Sequence, residues 1–433
     1  MEYYPKRIEI LHRVLAIIMV LTIVSYFNII YATAENIGDI ITNIPEPSLS
    51  LNFSNDSDLL LNGDASIADG ALVLTGKADS NAVFNNDISA LNLNDSITIS
   101  IDASAVVPFG SYNYMLFTLG NSTDQLYIRA SRNTLAAGII YGDLKSEVTG
   151  PGLSNNMFKN IVVTYTYDAM EKGTLSIFVN GLIGNRLTGI DIPLGSIVDV
   201  PDCKVLLGKS LQSGINGYNG KLDNLKIWNT GSEGNKVLTA RQIAALNGLD
   251  LEAAMEEIMD KDLAYLKTDT DTTSKALYYD QRIHDPVVHD VLLWQTGKIS
   301  GNRITWTSSN ENLLSIFKDA NGNDYSAKLV APPETDTKVT LTATIHVPDP
   351  DGGVFTKSKD LEVTVLSLES RRQADYDALE ITNMNDVRDN LPFIVAGKYG
   401  SRISWTSSNP DVITDTGDVT DAKGNVIFRG GIV

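Results

Sequence analysis

A single cysteine, Cys203, stands among 433 residues, so the chain cannot close a disulfide on itself. Its folds must rest on packed cores, with or without help from a metal. Positive charge is also short. Thirty-four Lys and Arg face 53 Asp and Glu, for a net charge of −19. A nucleic-acid binder needs a basic face that displaces phosphate counterions, and this balance excludes that class. Acidity favours solubility and names no partner. Only four histidines occur. Two of them, His284 and His289 in HDPVVHD (284–290), are tempting as metal ligands. Pro286 rules out a helix that would present both on one face, and no third strong ligand stands nearby, so a surface loop is the better account.

Long apolar runs are missing except at the start. Lys6, Arg7 and Arg13 precede an almost wholly apolar stretch from Val14 to Tyr31, followed by Ala32-Thr33-Ala34. This is the order of an export signal with a small-residue cleavage site, so residues 1–34 are expected to be removed and the remainder secreted. The run also approaches membrane-spanning length, which leaves an uncleaved anchor as the alternative. On either reading the rest lies outside the cytoplasm, and after cleavage no membrane contact is expected. The remaining length suits two or three domains.

From about 45 to 246 the chain reads as strand after strand. SLSLNF (48–53), GALVLTG (70–76), SITISIDASAVV (96–107), QLYIRA (125–130) and NIVVTYTYD (160–168) alternate apolar and polar residues, with Gly, Asn, Asp or Ser clusters between the strand-like segments. Asn180-Gly181 is a strong hairpin-turn signal, because both turn positions need positive φ. Some 200 residues of short strands without βα alternation predict a two-sheet sandwich, and the fold class is all-β.

FKNIVVTYTYD (158–168) followed by LSIFVNG (175–181), and GKLDNLKIWN (220–229) followed by LTARQIAAL (238–246), resemble the central hairpin and the closing strand and helix of the laminin-G-like, concanavalin A-like jelly roll. Phe158 stands where that family usually has Trp. Thr239 and Gln242 have the spacing of a capping box. The resemblance implies a jelly roll over 45–246. It also implies a structural calcium at Asp223, with main-chain oxygens near Asn52 to Asp64; the other reading is a carboxylate satisfied by backbone N–H groups. The glucanase branch of the fold carries an E-x-D-x-x-E strand, and retaining chemistry needs two carboxyls about 5 Å apart. No such triplet stands between 45 and 230, so no catalytic residue is assigned and the domain is read as non-enzymatic. Sugar binding usually relies on exposed rings. Trp228 lies in the closing strand, which leaves Tyr112, Tyr114, Tyr127, Tyr141 and Tyr218 as candidates for a ligand-binding face, each equally at home as a structural sandwich residue.

After Leu246 the pattern changes. LEAAMEEIMDKDLAYL (251–266) looks helical, and 247–270 is read as a helical linker. Strands resume in RITWTS (303–308), KVTLTATIHV (338–347) and SKDLEVTVLSL (358–368), giving a second sandwich over 271–368 with Trp306 as a core anchor. ITWTSSN (304–310) returns as ISWTSSN (403–409), and DANGN (319–323) as DAKGN (421–425). This pattern resembles the degenerate bacterial Ig-like repeat that serves as a spacer in exported carbohydrate-active proteins, commonly beside a glycosidase acting on arabinan or hemicellulose. Residues 369–433 then form a second repeat without the last two strands, read as truncated, or else completed by another chain or the neighbouring repeat. The function expected is an exported, non-catalytic carbohydrate-binding or accessory protein, the front portion of a polysaccharide-degrading enzyme. A surface adhesin or structural protein with a protein partner is the alternative.

Overall fold

The computed structural model describes residues 43–418, apart from 55–57, 94, 107–113, 132, 155, 212–216, 230–235, 270–281, 382–386 and 388–389. The proposed export signal and Tyr112 therefore lie outside the described residues. The chain divides into two compact units, residues 1–254 with 350–353, and residues 255–349 with 354–433.

Period-two alternation does in the first unit what the sequence predicts. Strands are numbered in chain order. One antiparallel sheet runs β13 (Leu182–Ile190), β12 (Gly173–Val179), β11 (Lys159–Thr166), β6 (Ser96–Ala105), β15 (Asn219–Trp228), β4 (Ala71–Thr75) and β3 (Ser66–Ala68), with β1 (Leu49–Leu51) also paired to β15. The other runs β10 (Leu144–Pro151), β9 (Thr134–Tyr141), β8 (Gln125–Ala130), β7 (Tyr114–Gly120), β14 (Lys204–Leu207), β5 (Asn81–Phe84) and β2 (Leu59–Asn62). Ile97, Ile99 and Ile101 of β6, Ile161 and Val163 of β11, and Leu222, Leu225 and Ile227 of β15 point inward. They share one buried cluster with Leu126 and Ile128 of β8 and Leu135, Ala137 and Ile139 of β9. Each buried Ile, Leu or Val among them contributes about 1.5–3 kcal/mol of burial free energy.

Four of the five outward positions of β6 are small and hydroxylic, Ser96, Thr98, Ser100 and Ser104, all buried; the fifth is the half-buried Asp102. Small side chains let the following chain come close. Thr98 Oγ1 accepts from Leu238 N at 3.1 Å, just ahead of the helix Ala240–Leu246. That helix starts at the expected capping box: Thr239 Oγ1 accepts from Gln242 N, and Gln242 Oε1 accepts from Thr239 N. Trp228 is buried, and its Nε1 donates to Pro45 O at 2.7 Å. The Asn180-Gly181 turn has φ of 51° and 82°. Gly181 is required twice over, because a Cβ there would also lie 3.1 Å from Ala244 Cα of the helix.

The second unit opens its sheets with a short parallel pair, β16 (Lys267–Asp269) and β17 (Arg282–His284). Two three-stranded antiparallel sheets follow, β18 (Val291–Leu292), β21 (Asp324–Leu329), β20 (Leu314–Lys318), and β19 (Arg303–Ser308), β22 (Thr337–Pro348), β23 (Val354–Val365). Ile304, Trp306, Val339, Leu341, Ala343, Ile345, Val363 and Val365 are buried. Trp306 anchors as expected, donating from Nε1 to Trp294 O at 2.8 Å.

The helix Leu251–Tyr265 does more than link. Its Asp262 is fully buried and accepts from Ile299 N at 2.6 Å and from Ser300 N at 3.2 Å. The same device recurs in the helix Leu368–Asp377, where Asp375 accepts from Tyr399 N at 2.7 Å and Ser401 N at 3.0 Å. Gly297 and Gly397 make room for these carboxylates; a Cβ would meet Asp262 at 2.3 Å and Asp375 at 2.2 Å. Trp405 repeats the Trp306 bond, with Nε1 donating to Ile394 O at 2.8 Å. Their surroundings differ. Trp306 lies in a paired strand and is buried, whereas Trp405 is half-buried, stacked on Phe393 with centroids 4.7 Å apart, and lies outside any strand. The repeated unit thus begins at its helix, ahead of the strand that carries the repeated string.

Burial pushes the Asp375 carboxyl up, but hydrogen bonds from Tyr399 and Ser401 outweigh it and hold the group below its ordinary value. The folded state therefore binds this proton more weakly than the unfolded state does. Its stabilisation is complete above the ordinary Asp range, about pH 4, and is lost as pH falls through the lower folded value. Asp375→Asn keeps one acceptor oxygen and leaves one loop N–H facing an amide nitrogen, so it should cost roughly 1–3 kcal/mol at pH 7 and should flatten the loss of stability below about pH 4. Urea melts of the two proteins between pH 7 and 2.5 check both.

Candidate functional site

A β-bulge sets up the most distinctive surface feature of the first unit. The pairing of β15 with β6 shifts between Asp223 and Lys226, and Asn224 adopts φ of 48°. This places Asn224 and Lys226 on the outer face beside Ser100 and Asp102 of β6 and Asn160 of β11. Asn180 of the tight turn, and Leu246 and Asn247 at the end of the 240–246 helix, close the other side. Together with Phe158 they line an open groove of about 450 Å³. Phe158 is 47% exposed, an unusual position for a ring this large.

The polar groups of the groove are ordered by one another. Asn160 Nδ2 donates to Asp102 Oδ1 at 2.8 Å and to Ser100 Oγ at 2.9 Å. Asn224 Nδ2 donates to Asp102 Oδ2 at 2.8 Å. Asn247 Nδ2 donates to Asn160 Oδ1 and to Ile243 O, each at 3.0 Å. Asn180 Oδ1 accepts from Asn160 N at 3.0 Å. What remains facing the groove, without a partner among the described residues, is Asn180 Nδ2, Asn224 Oδ1, Asn247 Oδ1 and the Lys226 ammonium. Fixed donors and acceptors beside an exposed ring suit a ligand with an apolar face and several hydroxyls.

The residues singled out from sequence are scattered. Asp223 is the strand-register partner of Asp102, yet it does not line the groove. Its Oδ1 turns back to accept from Asn224 N at 2.7 Å, and burial, then the Asp102 charge, pushes its carboxyl up from the ordinary value. Both oxygens of Asp102 are occupied by amides. Among the described residues no group of three or more His, Cys, Asp or Glu is placed to hold a metal ion. The hydrogen bond from Asn224 N is the backbone cap expected for Asp223 on the metal-free reading. The main-chain oxygens expected to complete a calcium site lie near 52–64, and residues 55–57 are outside the described residues.

The four tyrosines among the described residues, Tyr114, Tyr127, Tyr141 and Tyr218, form no common face. Tyr218 is a core residue whose hydroxyl donates to Ser104 O at 2.8 Å, and a ligand cannot reach it. Tyr127 is buried on the outer side of the second sheet, its ring seated over Gly138. Its hydroxyl donates to Glu147 Oε2 at 2.6 Å, and Arg129 holds the same carboxylate with two bonds, Nε to Oε2 at 2.9 Å and Nη2 to Oε1 at 2.5 Å. Burial pushes Glu147 up, but these bonds prevail and keep it below its ordinary value. That cluster is internally satisfied. Tyr114 is half-buried at the head of β7, and Tyr141 is exposed at the end of β9. Burial lifts the Cys203 thiol to about 11, which leaves little thiolate at neutral pH. In the second unit His284 and His289 approach to 6.2 Å between ring centroids, in a pocket of about 550 Å³ with Trp294 and Tyr325.

The groove was only partly readable in advance. Phe158 and Asn180 stand in the strings that carry the jelly-roll resemblance, but pairing of Asn160 with Asn247, and of Asn224 with Asp102, depends on a helix end and a bulge far apart in sequence.

Residues 372–425 match the family model described as "atrophied bacterial Ig domain". An alpha-L-arabinofuranosidase of Bifidobacterium longum subsp. longum is 26% identical over 258 residues, 58% of this chain and 20% of the relative. The chain thus spans about a fifth of the length of the curated relative it matches. Among solved structures, domain 4 of AbnA, an extracellular GH43 arabinanase from Geobacillus stearothermophilus in complex with arabinotriose, aligns at TM-score 0.35 and 13% identity, covering 47% of this chain and 98% of that one. The CBM40 of a Ruminococcus gnavus IT-sialidase bound to alpha2,3 sialyllactose aligns at TM-score 0.33 and 13% identity, covering 47% and 100%.

Chelation separates the two readings of Asp223. A calcium held by Asp223 predicts a drop in the first unit's melting temperature with excess EDTA that Asp223→Ala abolishes. A carboxylate capped only by backbone predicts thermal melts that superimpose with and without EDTA.

Proposed function

We propose that this is an exported, non-catalytic glycan-binding accessory protein, of the kind joined to polysaccharide-degrading enzymes, and that the groove around Phe158 is where it holds its ligand. The observation that carries this reading is the exposed Phe158 ring set beside amide edges that their neighbours hold in fixed orientation. A sugar ring stacks its C–H face on an aromatic ring and satisfies its hydroxyls with such edges. The partial match to an arabinofuranosidase supports an arabinose-containing polysaccharide as the first ligand to test. The repeats of the second unit, one of them matching the atrophied Ig model, support a spacer role for that half. The apolar N-terminal run supports export.

A hydrolytic reading would need two carboxyls turned toward the ligand. Asp102 and Asp223 are neighbours in register, but only Asp102 lines the groove and both its oxygens hold amides. The chain should release no reducing ends from arabinan. Binding should be measurable on arabinan by affinity electrophoresis, and Phe158→Ala should weaken it roughly tenfold, about 1.4 kcal/mol, while leaving the melting temperature within a few degrees. Hydrolysis, or binding indifferent to Phe158→Ala, would overturn the proposal.

A further inference from the structure

Asp102 does more than fill a place in the groove. A carboxylate only accepts, so both amides that touch it must present Nδ2. Asn224 is thereby forced to leave Oδ1 facing outward. Asn160, with Nδ2 committed to Asp102, has only Oδ1 to offer Asn247. Asn247 must then turn its own Nδ2 inward, where Ile243 O takes it as well, and it too leaves Oδ1 outward. One charge thus sets the direction of three amides across two strands and a helix end. The groove presents outward acceptors at Asn224 and Asn247 beside the Asp102 charge, against donors at Asn180 and Lys226.

Resting on the glycan-binding reading above, we propose that the groove takes neutral saccharides and turns away those bearing carboxylates or sulfates, and that Asp102 is the residue that fixes this choice. Neutral sugar hydroxyls both donate and accept, so they satisfy either kind of edge. A uronate or sulfated sugar brings acceptor-only groups toward outward acceptors and a like charge in a partly desolvated site, on a chain that is itself acidic. Lys226 is a single flexible counter-charge, whereas anion recognition favours a fixed fork such as arginine supplies, and no arginine is among the described residues that line the groove.

The test is calorimetric titration of the full chain with arabinotriose and with trigalacturonate, repeated for Asp102→Asn. The expected result is at least tenfold tighter binding of arabinotriose by the parent chain. In Asp102→Asn that ratio should shrink several-fold, because the new amide can donate and the chain of orientations is released. Equal or tighter binding of trigalacturonate, or a ratio unchanged in Asp102→Asn, overturns the inference while leaving glycan binding itself intact. Binding of neither trisaccharide, together with no retention on arabinan, removes the underlying reading and the inference with it. Should the Asp102→Asn substitution prevent folding, Asn180→Asp serves instead. It keeps the Oδ1 acceptor for Asn160 N and replaces an outward donor with an acceptor, so the ratio should widen; a ratio that stays the same or narrows overturns the proposal.

Discussion

The first unit depends on burying the inward rows of β6, β11 and β15 against those of β8 and β9. Every other feature is hung on that pairing. Because inward and outward positions alternate strictly, filling the core with Ile97, Ile99 and Ile101 leaves Ser96, Thr98, Ser100 and Asp102 on the opposite side of the same strand. The groove is that opposite side. Its polar character is the necessary counterpart of the core, and a one-residue slip of β6 would exchange the two. The bulge in β15 breaks the alternation at the point where Asn224 is brought into contact with Asp102.

Much of the fold was legible because it is written locally. Strand alternation, the Asn180-Gly181 turn and the Thr239–Gln242 box each lie within a few residues of sequence and survive intact in three dimensions. The site was less so. A tyrosine in a strand has no mark that says which face it takes. Tyr218 went to the core and Tyr127 to a satisfied cluster with Arg129 and Glu147, each for reasons set by register with distant strands. Asp223 and Asp102 are far apart in sequence but direct neighbours in the sheet, and only pairing reveals that the lower-numbered one does the organising.

The second unit carries a second repeated signal, quieter than the tryptophan string. LEAAMEEIMDKDLAYL and LESRRQADYDALE both place an aspartate late in a helix ahead of a Gly-Lys loop. The tryptophan string repeats almost residue for residue, whereas the helix-to-loop carboxylate is marked only by one aspartate and one Gly-Lys pair in each copy. Yet the buried Asp262 and Asp375 are what tie each helix to its loop, and Gly297 and Gly397 leave the space these carboxylates fill. A helix read as a connector is in this case the first element of the module that follows it.

The four tryptophans give the molecule an optical asymmetry. Trp228 is the only one in the first unit, sealed from water and bonded to Pro45 O, while Trp294, Trp306 and Trp405 belong to the second. Indole emission moves to longer wavelength as the ring meets water, so Trp306 and Trp405, alike in sequence and unlike in burial, emit differently from the same short string. A chain in which Trp228 alone is retained would glow from one unit only. The order in which the two halves come apart could then be followed by colour, without attaching any label.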